Sequence, residues 1–204
     1  MDQPMSRQPR PYHHGDLPAA LLRAVEALIM EKGVSSLSLR EVARRAGVSH
    51  GAPAHHFGDK AGLLTTLAIE GFHRFIAALS AARDAAPSAA QLSATGKAYV
   101  RFAVRHPAHF SVMFRSDILR DDDPELVRLR GAAHDLLHGV VAQAPLAPPP
   151  GKRNDLDTLA MRAWSMAHGL AELYLAAPRV TLEKAGQPDL DALLDAVFGP
   201  EPPR

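Results

Sequence analysis

Apolar residues recur three and four positions apart along most of the chain, which is the spacing of one face of an α-helix. The clearest of these stripes cover residues 17–28, 64–79, 92–103, 156–174 and 190–197. No stretch has the strict alternation of a half-buried strand, and no segment repeats another. The pattern predicts an all-α protein of about nine helices. The segment over residues 156–174 is apolar on more than one face, so we expect it to be buried on more than one side.

The first two helices can be delimited by residue types that commonly begin or end helices. Asp16 is placed to cap the first helix, Pro18 lies in its first turn, and Gly33 ends it. Ser38 and Glu41 stand three residues apart and form a capping box. In such a box each side chain accepts a hydrogen bond from the backbone N–H of the other residue. A second, short helix is therefore predicted to begin after Ser38.

A third helix follows the second after a break of a few residues, which is the layout of a helix-turn-helix. Gly47 ends the second helix, and Ser49 is predicted to cap the third. Arg40 and Arg44 are four residues apart and share a helical face, which is either a phosphate-binding face or a solvated one. Small residues and free N–H groups at the start of the third helix favour a close approach to a phosphate. Lys60, at the start of the fourth helix, is well placed for another phosphate.

Composition narrows the class of protein. The 204-residue chain has a formal net charge of +1, so only a local concentration of positive charge could bind nucleic acid. Residues 1–60 carry eight Lys and Arg against six Asp and Glu. The absence of Cys excludes disulfides and thiolate metal sites, and no run of about 18 apolar residues predicts a membrane span. We expect a cytoplasmic protein without a membrane partner. Residues 1–11 are predicted to form a disordered arm, either lying along DNA or having no role.

The segments around this helix-turn-helix resemble the N-terminal DNA-binding domain of the TetR family of bacterial transcriptional regulators. The resemblance is carried by LREVARRAGVS over residues 39–49 and HHFGDKAGLL over residues 55–64. It implies a DNA-binding domain over residues 12–75, with the helix-turn-helix at 38–57 and the reading helix at 49–55. Many relatives have Tyr where this chain has Ala54. The candidate DNA-binding residues are Arg40, Arg44, Ser49, His50, Gly51, Ala52, Pro53, His55, His56 and Lys60.

Residues 76–204 are expected to form a C-terminal regulatory and dimerisation domain. The run WSMAHG over residues 164–169, together with YHHGDL from Tyr12, resembles the family branch named for a Trp-His-Gly motif. Trp164 and His168 are one helical turn apart, either as packed core residues or as the wall of a ligand pocket. The candidate pocket residues are Tyr99, Phe102, Phe110, Met113, Phe114, Met161, Trp164 and His168.

The resemblance implies a homodimeric repressor whose last two long helices pair with their copies. Such a protein binds double-stranded, palindromic operator DNA until a small, mostly apolar effector releases it. The alternative is a helical ligand-binding or interaction protein that keeps the fold but reads no specific operator. Pro53 and Ala54, in the middle of the reading helix, favour that alternative.

Metal binding and catalysis find little support in the sequence. The eleven histidines include His13 beside His14 and His55 beside His56, but adjacent side chains point in different directions and chelate poorly. The sequence patterns of serine hydrolases, phosphate-binding loops and zinc hydrolases are absent. We therefore predict no enzymatic activity, no metal site and no cofactor.

Overall fold

A computed structural model describes residues 17–144, 155–180 and 189–200, with side chains up to residue 176 in the second range. Over these residues the chain forms nine α-helices, two short 3-10 helices and no strand. The prediction of an all-α fold is confirmed. The predicted arm at residues 1–11, the capping role of Asp16 and the motif that starts at Tyr12 lie outside the described residues.

The residues cluster into two compact units, residues 1–60 and residues 61–204. The helices of the first unit are α1 (Leu17–Lys32), α2 (Leu39–Ala46) and α3 (Ala52–Phe57). Those of the second are α4 (Lys60–Ala85), α5 (Gln91–Arg105), α6 (Pro107–Met113), α7 (Pro124–Gln143), α8 (Leu156–Val180) and α9 (Leu190–Phe198). The division falls after Lys60. Helix α4 continues unbroken through residue 75, where the resemblance implies that the DNA-binding domain ends.

The first unit is held together by the apolar stripe of α1. Leu21 and Val25 are fully buried, and so is Val42 of α2. The Ser38 hydroxyl accepts a hydrogen bond from the Glu41 N–H at 3.3 Å, which confirms one half of the predicted capping box. The reciprocal half does not form among the described residues, because the Glu41 carboxylate instead pairs with the ammonium group of Lys32 on α1.

The turn of the helix-turn-helix begins as predicted, but α3 begins later than predicted. Gly47 adopts the left-handed conformation, and the N–H of Val48 reaches back to the carbonyl of Ala43 at 3.0 Å. The residue before α3 is Gly51, so the prediction that Ser49 caps this helix is wrong. A helix capped at Ser49 needs the N–H of residue 53 to bond the Ser49 carbonyl, and Pro53 has no N–H.

We expect Gly47→Ala to lower the free energy of unfolding by about 1–2 kcal/mol, because a side chain disfavours the left-handed backbone. Gly47 has a φ of +70°, and an added Cβ would meet no atom within 4 Å, so the loss comes from backbone conformation alone. Gly51→Ala is the matched control, since Gly51 has a φ of −81° and equally open surroundings. Urea unfolding of both variants measures the difference, and equal stabilities would contradict the prediction.

The second unit has an aromatic core between α4, α5 and α6. The stripe predicted for α4 is confirmed, since Phe72, Phe75 and Leu79 are at most 4% exposed. The ring of Phe75 packs edge-on against Tyr99 at 5.0 Å and against Phe102 at 5.2 Å between ring centroids. By length and composition α4 could also span a membrane, but its apolar side chains are those of a buried core helix.

Candidate functional site

The exposed residues of the helix-turn-helix form the first candidate site. Arg40, Arg44, Ser49, His50, Gly51, His55 and His56 are exposed, whereas Ala52 and Lys60 are partly buried. Pro53 is buried, so its ring packs inside the unit, and the exposed neighbour is Ala54. Seven of the ten candidate DNA-binding residues therefore lie on the surface of this unit.

The arginines of α2 differ in what they contact. Arg45 donates two hydrogen bonds to the carboxylate of Glu31, at 2.9 and 2.6 Å, and so joins α2 to α1. The side chain of Arg44 is 71% exposed and approaches Glu41 only to 3.8 Å, and Arg40 is exposed as well. The ammonium group of Lys60 already makes one hydrogen bond, because it donates to the carbonyl of Ser35 at 3.3 Å. Arg40 and Arg44 are therefore the cations most available to an external anion.

The second candidate site is a cavity of about 980 Å³ inside the second unit. Its wall is built from α4, α5, α7, α8 and α9. Aromatic side chains provide much of the apolar surface: Phe72, Phe75, Tyr99, Phe114, Trp164 and Phe198. A cavity of this size, mostly apolar and with a few polar groups, is typical of a site for a drug-sized ligand.

The eight predicted pocket residues divide into four groups. Tyr99, Phe114 and Trp164 line the cavity. Phe102, Phe110 and Met113 are buried in the aromatic core and are not part of the cavity wall. Met161 is 55% exposed on α8. His168 contacts the cavity wall through its hydrogen bond to Tyr99.

A directional hydrogen-bond chain runs from α8 to α5 and back. The indole N–H of Trp164 donates to the hydroxyl oxygen of Tyr99 at 3.2 Å. Tyr99 has one proton, which we assign to Nδ1 of His168 at 2.7 Å, and Nε2 of His168 lies 3.9 Å from Glu172. Burial lowers the pKa of His168, which keeps its Nδ1 available as an acceptor, and burial raises the pKa of Tyr99. Tyr99 is thus a neutral, oriented group in the wall.

We expect His168→Asn to make stability less sensitive to acid. Because the pKa of His168 is lowered in the folded state, the unfolded chain binds the proton first as the pH falls below about 6.5. The stability contributed by neutral His168 is therefore fully present above that pH and is lost as the pH falls towards the folded pKa. Thermal unfolding between about pH 7.5 and 5.5 measures the loss, which should be smaller for the variant because asparagine does not titrate. His55→Asn, at an exposed histidine, should keep the wild-type loss; an identical loss for His168→Asn would contradict the prediction.

Helix α9 closes one side of the cavity through contacts with α5. The Ser93 hydroxyl donates to the carbonyl of Phe198 at 2.6 Å, and the buried ammonium group of Lys97 pairs with the carboxylate of Asp195. The Phe198 ring lies against Gly96, where an added Cβ would be 2.6 Å from a ring carbon. The sequence pattern predicted α9 but gave no sign of which helix it contacts.

Several polar residues of the cavity wall were not predicted. They are Ser93, Thr95, Ser116, Arg130, His134 and Arg162. Thr95 stands four residues before Tyr99, so it lies on the same face of α5, and this spacing is the one signal that could have identified it. The residues from α7 and α8 depend on how these helices pack, which spacing along one helix does not reveal.

Known protein families match both units. The family described as "Bacterial regulatory proteins, tetR family" matches residues 21–67. The family described as "Tetracyclin repressor-like, C-terminal domain" matches residues 92–198, which is more than half of the chain. The HTH-type transcriptional regulator BetI of Yersinia pestis (strain Pestoides F) is 46% identical over 44 residues. That match spans 22% of each chain, so it covers about a fifth of the length of this curated relative.

Solved structures match over nearly the whole chain. A protein with unknown function from Rhodococcus sp. RHA1 is 34% identical, covering 93% of this chain and 95% of its own, with a TM-score of 0.73. A bacterial regulatory protein in the tetR family from Rhodococcus RHA1 is 20% identical, covering 89% and 93%, with a TM-score of 0.67. FadR of Bacillus subtilis, solved in complex with stearoyl-CoA, is 16% identical, covering 88% and 95%, with a TM-score of 0.66. The chain therefore belongs to the TetR family, whose members are DNA-binding, ligand-responsive transcriptional regulators and not enzymes.

Proposed function

We propose that this regulator is a cytoplasmic homodimer that represses transcription from a palindromic operator and is released by a small, mostly apolar ligand. The observation that carries the proposal is the exposed surface of the helix-turn-helix, above all Arg40, Arg44 and Ser49. Arginine side chains and serine hydroxyls are common phosphate contacts, and they set the position of the reading helix on the duplex. The exposed imidazoles of His50 and His55 add hydrogen-bonding groups for base edges.

Homodimer formation is supported by the apolar side chains that α8 leaves exposed. Met161 and Leu173 are 55% and 68% exposed, and Val127 of α7 is 53% exposed. Exposed apolar surface on a folded protein marks interaction sites when it is contiguous. A Cβ on Gly169 of α8 would meet no atom within 4 Å, so nothing in the described protomer requires a glycine at this position. Close packing of α7 and α8, the last two long helices, against a second copy would require one.

We expect Gly169→Arg to weaken the dimer about 100-fold, because burying an unpaired charge in an interface costs several kcal/mol. The protomer should stay folded, since the space around Gly169 is open. Sedimentation velocity over a concentration series measures the association. Ala81→Arg adds the same charge at an exposed residue of α4 and serves as the control. Unchanged association of Gly169→Arg would remove α8 from the proposed interface.

The cavity supports the ligand-responsive part of the proposal. Its volume of about 980 Å³ and its aromatic wall suit a mostly apolar molecule. FadR of Bacillus subtilis, which has the same fold, was solved with stearoyl-CoA, so a body of this kind can hold a ligand with a long apolar chain. A ligand that binds one arrangement of the two heads more tightly than the other would shift the protein towards that arrangement. Operator release follows if the favoured arrangement no longer fits both half-sites.

Selection of bound sequences from random double-stranded DNA tests the proposal. The full-length protein should recover a palindrome whose half-sites lie about 34–36 Å apart, which is one turn of the duplex. Binding to this palindrome should weaken steeply as the salt concentration rises. Recovery of no shared sequence would overturn operator recognition and support the alternative, a helical ligand-binding or interaction protein. The burial of Pro53 and the small side chain of Ala54 reduce the reading surface, which is the observation that favours this alternative.

A further inference from the structure

We propose that Thr95 makes the cavity selective for an uncharged ligand with a hydroxyl or carbonyl group on an aromatic or alicyclic body. This inference rests on the proposed function, because it names the ligand class of the cavity that would take the effector. Thr95 lies in the cavity wall on α5, and only 4% of its surface is exposed.

Helix α5 contributes three hydroxyl groups to the cavity wall, and the hydroxyl of Thr95 is the one without a hydrogen bond among the described residues. Ser93 donates its proton to the Phe198 carbonyl at 2.6 Å. Tyr99 is bonded to Trp164 and His168. The Thr95 hydroxyl has no hydrogen-bond partner among the described residues. A ligand oxygen beside it can restore the hydrogen bond that this hydroxyl makes to water in the unfolded chain.

Other threonines in this unit make a hydrogen bond to their own helix that Thr95 lacks. On α4 the hydroxyls of Thr65 and Thr66 donate to the carbonyls four residues earlier, Ala61 and Gly62, at 2.8 and 2.9 Å. Such a bond back to the helix is the usual way in which a helical threonine satisfies its hydroxyl. Thr95 makes no such bond, so its buried hydroxyl, with one donor and two acceptor sites, has no partner among the described residues.

The surroundings of Thr95 favour an uncharged ligand. The residues that α4, α5 and α9 contribute to the cavity wall include no charged side chain. The basic side chains of the wall, Arg130, His134 and Arg162, come from α7 and α8. Arg130 is already paired with the carboxylate of Asp121. A charged group placed against the part of the wall formed by α4, α5 and α9 would lose its hydration, and these helices contribute no counter-charge to the wall.

The aromatic residues of the cavity wall favour a ligand with an aromatic or alicyclic ring. Phe72 and Phe75 of α4 and Phe198 of α9 present aromatic rings to the cavity. Rings pack on other rings and on alicyclic carbon over large areas, and their edges and faces fix the orientation of the guest. A single hydrogen bond at Thr95 then fixes which end of the ligand faces α5.

The test uses three probes of similar size: 4-cyclohexylphenol, cyclohexylbenzene and 4-cyclohexylbenzoate. Trp164 is the chain's single tryptophan and lines the cavity, so its fluorescence, excited at a wavelength where the probes absorb little, reports occupancy. The phenol should bind the wild-type protein about tenfold more tightly than the hydrocarbon, because only the phenol bonds Thr95. The benzoate should bind more weakly than the phenol.

Two substitutions test the contribution of the Thr95 hydroxyl to ligand binding. Thr95→Val keeps the shape of the side chain and removes the hydroxyl, so it should weaken phenol binding about tenfold and leave hydrocarbon binding unchanged. Thr95→Ser keeps the hydroxyl and should keep the preference for the phenol.

Four results would overturn the inference: an unchanged preference in Thr95→Val, equal binding of phenol and hydrocarbon to the wild type, tighter binding of the benzoate, or binding of no probe. Repeating the random-DNA selection with Thr95→Val separates this inference from the proposed function. A palindrome recovered by both proteins while the probes fail to discriminate would reject the role of Thr95 and leave operator recognition intact.

Discussion

Replacing Arg40 and Arg44 together by alanine is expected to weaken binding to the selected palindrome about 100-fold at an ionic strength near 0.15 M. Both side chains are exposed and lie on one face of α2, the first helix of the helix-turn-helix. In this motif the first helix crosses the DNA backbone, so its cations neutralise phosphates and release counterions. Each lost phosphate contact should reduce the slope of log affinity against log salt by about 0.9 per protomer.

Fluorescence anisotropy of a labelled duplex over a salt series measures both quantities. The matched control is the double substitution of Arg105 and Arg115, which removes the same charge from exposed residues of the second unit. If the two double variants lose affinity equally, the effect comes from net charge and the assignment to α2 fails. Because phosphate contacts carry no base information, the sequence preference of the α2 variant should stay as it was.

Phe75→Ala is expected to lower the free energy of unfolding by about 3–4 kcal/mol, because it removes a buried aromatic ring from a packed core. Phe75 is 3% exposed and lies within 6.4 Å, between ring centroids, of Phe72 and Phe114. It also packs edge-on against Tyr99 and Phe102 of α5. The ring therefore joins α4 to α5 and to the segment after α6, and its loss removes one packing contact from each of four aromatic neighbours.

Denaturant unfolding of the full chain measures this loss. Met30→Ala is the control, since Met30 is 59% exposed and its truncation should change stability by no more than about 0.5 kcal/mol. A loss below about 1 kcal/mol for Phe75→Ala would mean that the core collapses around the vacated space and that the packing there is not specific. Because Phe75 also lines the cavity, the variant should additionally bind the phenol probe less tightly than the wild type does.

Most of the fold could be predicted because its signals are local. The apolar stripe of α4 follows from residues spaced three and four apart, and Phe72 and Phe75 are buried as that spacing requires. Gly47 ends α2 because glycine adopts the left-handed conformation without strain. Ser38 accepts the N–H three residues later because both groups lie in the same helical turn.

Local signals failed where two of them competed. Ser49 is a good capping residue, but Pro53 removes the N–H that a helix starting there would need, and α3 begins at Ala52 instead. Pro53 is also buried. A helix of six residues is too short for the spacing of its apolar residues to show which of them are buried. Which residues of α2 and α3 are exposed to DNA depends on how these two helices pack, and local signals in the sequence do not show this.

The sequence by itself determined an all-helical chain, most of its helix boundaries and the family to which it belongs, because each depends on residues close together in the chain. Only the tertiary structure decided the cavity, because its wall joins residues far apart: Tyr99 meets Trp164 and His168 across 65 and 69 positions. It also showed which aromatic residues of the core line the cavity and which do not, although both sets have the same helical spacing. The role of Thr95 depends on both sequence and packing: its spacing from Tyr99 places it on the cavity face of α5, and its hydroxyl has no hydrogen-bond partner among the described residues of the neighbouring helices.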